Sequence, residues 1–103
     1  MAEITVDLFR NTEGTSYRFE QPGGEGHVDM ELLEVGERIW AAWPGGRAVP
    51  FSLIFRAVNN EVLRPGLPTL IHPAVERCEW SLERIMPPPG FAGNAVYYEA
   101  VFT

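Results

Sequence analysis

Apolar and polar residues alternate with a period of two along most of this chain, and that pattern commits it to pleated strands instead of helices. Ile4, Val6 and Leu8 fall on one side of a first strand and Thr5, Asp7 and Phe9 on the other. After the turn-forming run Asn11 to Gly14, Tyr17 and Phe19 alternate with Ser16, Arg18 and Glu20 until Pro22-Gly23-Gly24 breaks the segment. These two strands are expected to form a hairpin. From Val28 the alternation resumes through Leu32, although Met30 to Glu37 also suits a short helix by composition.

Phe51 to Val58 is the strongest strand signal, because Phe51, Leu53, Phe55 and Ala57 share one face while Ile54 and Val58 keep the other largely apolar. It is expected at the centre of the sheet. Asn59-Asn60 supplies a turn, and Pro65, Gly66 and Pro68 leave Leu70-Ile71 as a short strand at most. Arg77 to Met86 then places Cys78, Trp80 and Leu82 opposite Glu79, Ser81 and Glu83. Ala95 to Thr103 places Val96, Tyr98, Ala100 and Phe102 opposite Tyr97 and Glu99. Pro87-Pro88-Pro89-Gly90 and Gly93-Asn94 separate these last two strands with a stiff loop, which predicts antiparallel neighbours.

Seven or so short strands and at most one short helix, within residues 1–103, predict a single small all-β domain. An antiparallel β-sandwich and a partly open β-barrel both fit. Nearly half of the residues are apolar, enough for one core without disulfides or metal. Cys78 is the single cysteine, so no intrachain disulfide can form, and a buried inert thiol is the expectation.

The formal charge of −6 argues against a nucleic-acid footprint, which needs a concentrated basic face. All eight basic residues are arginines and they are dispersed; codon bias accounts for this as readily as interface pairing does. Met1 to Asp7 shows no basic segment leading into an apolar run, and no window reaches membrane-spanning length. Cytoplasmic synthesis is the expectation, with no membrane partner; incorporation into a virion-like or extracellular assembly is compatible with it.

Chemistry has little to work with. His27, His72 and Cys78 are far apart in sequence, so neither a metal site nor a cupin-like ligand set is indicated. No nucleophile motif accompanies His72, with Glu76 or Glu79 the nearest acids to pair with it, and a structural histidine outweighs an acid–base role. Gly23-Gly24-Glu25-Gly26 and Gly45-Gly46-Arg47 match no phosphate-binding spacing. No catalytic residue, cofactor or metal is therefore assigned.

Trp40 and Trp43, in a segment closed by Pro44-Gly45-Gly46, are the candidates for contact with a partner. Core burial is the leading account of both, since tryptophan is largely buried even where it is functional. Tyr97 joins them as a candidate contact residue for a ligand.

Phe51-Ser52-Leu53-Ile54-Phe55-Arg56, His72-Pro73 and Tyr98-Glu99-Ala100-Val101-Phe102 resemble motifs of a family of short, uncharacterised bacterial and phage-borne all-β proteins. Val75-Glu76 and Glu83-Arg84 depart from that pattern. The resemblance implies a β fold and, because such proteins often accompany tail-collar-like components, assembly rather than metabolism. The resulting expectation is a non-enzymatic structural or assembly module, phage-tail-like or filament-associated, acting by self-assembly or by binding a protein partner through a strand edge or the Trp40 to Trp43 segment. The alternative is a carbohydrate or small-ligand binding β module; an enzyme using His72 ranks third.

Overall fold

The computed structural model describes Phe9 and residues 12–37, 50–59, 61–72, 75–91 and 93–102. Within them lie seven strands and no helix: β1 (Ser16–Glu20), β2 (His27–Glu37), β3 (Phe51–Ala57), β4 (Thr69–His72), β5 (Val75–Glu79), β6 (Glu83–Ile85) and β7 (Tyr97–Phe102). All neighbours run antiparallel in one sheet of order β5-β4-β1-β2-β3-β7-β6, which curls into a half-barrel. Of the two expected architectures, the structure is the partly open barrel. The strand expected over Ile4 to Leu8 lies outside the described residues. The hairpin that β1 does form is with β2, around Gln21–Gly26, and its other edge is taken by β4.

The curl follows from chain connectivity. β5 and β6 are the two outermost strands, yet only Trp80, Ser81 and Leu82 separate them in sequence. The stretch from Glu79 to Glu83 can span at most roughly 14 Å. A flat seven-stranded sheet would hold its outermost strands roughly 29 Å apart. The sheet has to bend until its rims approach each other. What reads in sequence as one strand from Arg77 to Met86 is thus two, serving opposite rims, with Trp80 at the passage between them.

The residues facing inward form one core: Tyr17, Phe19, Val28, Met30, Leu32, Phe51, Leu53, Phe55, Leu70, Trp80, Tyr98 and Ala100 among them. Trp80 is 3 % exposed. Its ring meets those of Phe9, Phe19, Phe55 and Phe102 edge-on, with centroids 5.0–6.4 Å apart, a favoured aromatic geometry. β3 is central as expected and is largely buried along both faces.

β2 is a strand of eleven residues, not the short helix its composition allowed over Met30 to Glu37. Its register slips at Leu33, so that Leu32 opposes Phe55, Glu34 opposes Ile54 and Val35 opposes Leu53. Without that bulge, strict alternation would turn Glu34 inward and Val35 outward.

The connection from β3 to β4 crosses one end of the half-barrel, beyond the ends of β1 and β2. Gln21 holds it there: its Oε1 accepts from the Arg64 amide at 2.9 Å, and its Nε2 donates to the Val62 carbonyl at 3.3 Å. The Arg64 guanidinium donates to the Glu25 carbonyl at 2.7 Å and the Pro22 carbonyl at 3.4 Å, and the Leu63 amide donates to the Tyr98 hydroxyl at 2.9 Å. Gly66 completes the fit. Its φ is +122° and a Cβ there would stand 2.9 Å from Cβ of Pro22, so only glycine lets the crossing lie this close to the β1–β2 turn.

Candidate functional site

Alternation in each strand sends a second set of side chains to the outer face of the sheet, and ion pairs organise one half of it. Arg77 pairs with Glu20, Arg56 with Glu31, and Arg18 donates from Nε to Asp29 Oδ1 at 2.9 Å. That hydrogen bond holds the Asp29 carboxyl below the usual carboxylate range; partial desolvation opposes the shift, while the charges on Arg18 and, when protonated, His27 reinforce it. The same bond raises Arg18 further. Each of these three arginines, on β5, β3 and β1, is therefore neutralised by a carboxylate of β1 or β2.

The other half of the outer face differs. Glu34, Ile54, Glu99 and Glu83 stand in one row across β2, β3, β7 and β6, and Glu99 is the direct Cα partner of Glu83. The neighbouring row runs Glu31, Arg56, Tyr97, Ile85. Val101 lies further along β7 on the same face as Glu99, by alternation, and is 44 % exposed. Met86, which continues β6, is 86 % exposed, and Phe91 is 39 % exposed with its ring centroid 6.1 Å from that of Tyr97. The outer face of β6 and β7 thus carries the facing carboxylates Glu83 and Glu99 with Val101 further along β7, while Met86 and Phe91 are exposed in the loop that joins the two strands.

Tyr97 is fully buried. The alternation places it on the outer face with Glu99, as expected, but the structure covers it, with Phe91 among its neighbours. A buried tyrosine offers no contact area to a ligand, so its candidacy as a contact residue is corrected: it supports the surface from beneath. Trp40 and Trp43 lie outside the described residues. Glu37 and Phe51, which flank their segment on the described side and beyond it, pair with each other at the far end of the sheet from the β1–β2 turn.

His72 stacks on Tyr17, with centroids 4.8 Å apart and planes at 21°. Cys78 is half-buried and its sulfur accepts from the Trp80 indole at 3.3 Å. Among the described residues no three His, Cys, Asp or Glu side chains are grouped so as to hold a metal ion.

The two rims are guarded against strand addition. β6 has three residues and runs into Pro87, while β5 carries the exposed Arg77 and Glu79 and meets β4 through a register irregularity. Short, charged, proline-bounded strands make poor templates, which moves attention from the edges to the face. Alternation in the sequence places Glu83 and Glu99 on an outer face without singling out Met86 or Val101. The signal for them in the sequence is an apolar residue at an outward position of β7 and another at the exit of β6, just before three prolines.

No curated protein and no solved structure matches this chain. Residues 4–102, nearly its whole length, match the family described as Domain of unknown function (DUF6916), in line with the expected kinship to uncharacterised β proteins. The chain belongs to that family.

Proposed function

We propose that this protein is a non-enzymatic structural or assembly module that binds a protein partner through the outer face of β6 and β7 and the loop between them. The observation that carries the reading is that two of the six large hydrophobic residues found exposed among the described residues, Val101 and Phe91, belong to the outer face of β7 and to the loop whose Phe91 ring packs on the outward Tyr97, while a third, Met86, stands where β6 runs into the same loop. Scattered exposed hydrophobics are ordinary; a group gathered in one region marks a contact surface. A phage-tail-like or filament-associated setting is part of this reading and rests on the sequence resemblance alone. Nothing in the geometry favours the carbohydrate alternative, which counted on Tyr97 as a contact.

A photo-crosslinking amino acid at position 91, in protein expressed in its native host, tests the reading. The expected result is a discrete adduct that disappears when Val101→Ser is added and is not formed from a probe at Glu13, remote from this face. Absence of an adduct, or the same adducts from both positions, would overturn it. Melting of the Val101→Ser variant within a few degrees of wild type keeps loss of fold from imitating loss of contact.

A further inference from the structure

We infer that the loop between β6 and β7 docks as a polyproline-type ligand into a groove lined by aromatic side chains on the partner. The inference rests on the proposed protein-binding role of this region and names the class of partner. Its basis is the backbone of Met86-Pro87-Pro88-Pro89-Gly90-Phe91. Each proline ring holds φ at about −65°. Met86, Pro87 and Pro88 each precede a proline, which pushes them out of the helical region into extended backbone. The Phe91 amide donates to the Pro88 carbonyl at 3.1 Å, and Gly90 has φ +88°. With a proline ahead of that glycine, these two facts identify a type II turn, in which Pro89 also takes an extended ψ. Met86 to Pro89 therefore follow the left-handed extended helix of proline runs, over roughly 9 Å.

This segment is displayed to solvent. Met86 is 86 % exposed, Pro87 and Pro89 are exposed and Pro88 is half-buried. The turn itself needs only Pro89 and Gly90; nothing in it calls for two further prolines and an exposed methionine ahead of it. Phe91 anchors the base of the loop, its ring against that of the buried Tyr97. The loop is thus ordered before it meets a partner, so little conformational entropy is lost on docking. Its chemistry specifies the groove. Pro87, Pro88 and Pro89 have no N–H, so the run offers the Met86 and Pro87 carbonyls as acceptors, with apolar rings between them. Indole and phenol side chains match both: their rings pack on the pyrrolidines and the thioether, and their N–H or O–H donates to the carbonyls. A pairing strand is a poor match, since it needs amide donors that the prolines lack.

Competition for the adduct formed by the photo-crosslinker at position 91, in lysate of the native host, tests the inference. The competitors are a poly-L-proline decamer and a Gly-Ser peptide of equal length, at millimolar concentration. The variant is Pro87→Ser with Pro88→Ser, which keeps Pro89 and Gly90 and hence the turn. Poly-L-proline and the variant are each expected to lower adduct yield about tenfold or more, the scale of losing a pre-ordered contact, and the Gly-Ser peptide to leave it unchanged. The poly-L-proline arm needs no proline substitution, so unfolding cannot imitate its effect. An adduct that resists poly-L-proline, yields to both peptides alike, or forms equally on the variant would overturn the polyproline docking; if it still disappears with Val101→Ser, the protein-binding face itself stands. No adduct at all would count against both.

Discussion

Asp29 and Arg18 are direct partners in the β1–β2 ladder, and their side chains close the same pairing again above the sheet. Because the carboxyl is held below its ordinary value in the folded chain, it stabilises the fold at pH values above the unfolded value of about 3.9. That contribution is lost as pH falls through the depressed native pKa. Urea denaturation of wild type and Asp29→Asn is therefore expected to show wild type more stable at pH 7, with the gap closing as pH drops below about 4; a gap that stays constant with pH would contradict this. Salt should narrow it at pH 7, since both groups face water. Single residues also show where sequence reading stops. Period two puts Tyr97 and Glu99 on the same side, yet Tyr97 alone is fully buried, with the ring of Phe91, six residues earlier in the β6–β7 loop, among its neighbours. Alternation assigns a face; only tertiary contact assigns exposure.

At the scale of elements, β2 was ambiguous in sequence for a specific reason. The bulge at Leu33 interrupts period two, and Leu32, Leu33 and Val35 then resemble the spacing of a helical stripe. The split of Arg77 to Met86 was hidden for the opposite reason: its alternation is unbroken in the sequence, while the partner strand changes at Trp80. In sequence the β3–β4 crossing is only a turn followed by proline breaks, because the groups that anchor it come from residues about 40 positions away. Hydrogen bonds at exposed positions are worth roughly 1 kcal/mol each. Gln21→Ala removes two of them, so amide exchange of Arg64 is expected to accelerate about 5- to 30-fold. Leu53 and Phe55 should keep wild-type rates. Equal acceleration at all three would show that Gln21 supports the whole fold and not the crossing alone.

For the whole molecule, class and central strand were legible, since an all-β chain with one doubly buried strand announces itself through composition and period. Strand order was not, because partners such as β1 and β4, or β3 and β7, are chosen by the packing of their inward faces and not by any local signal. Trp80 is where local and global structure meet, as its ring fills the interior while its backbone carries the chain from one rim to the other. Its amide donates to the Pro68 carbonyl at 2.8 Å, extending the β4–β5 ladder by one step. Trp80→Ala is expected to cost about 3–5 kcal/mol, against a total stability of roughly 5–15 kcal/mol for a domain. Chemical denaturation followed by far-ultraviolet circular dichroism should show a midpoint shifted far toward low denaturant, and a loss under about 1 kcal/mol would refute the central role of this ring. The short passage through Ser81 and Leu82 has one more effect. A sheet with two remote rims can grow by capping itself with copies of its own kind, whereas here each rim is leashed to the other, so the bond joining them acts as a chain terminator against open-ended polymerisation.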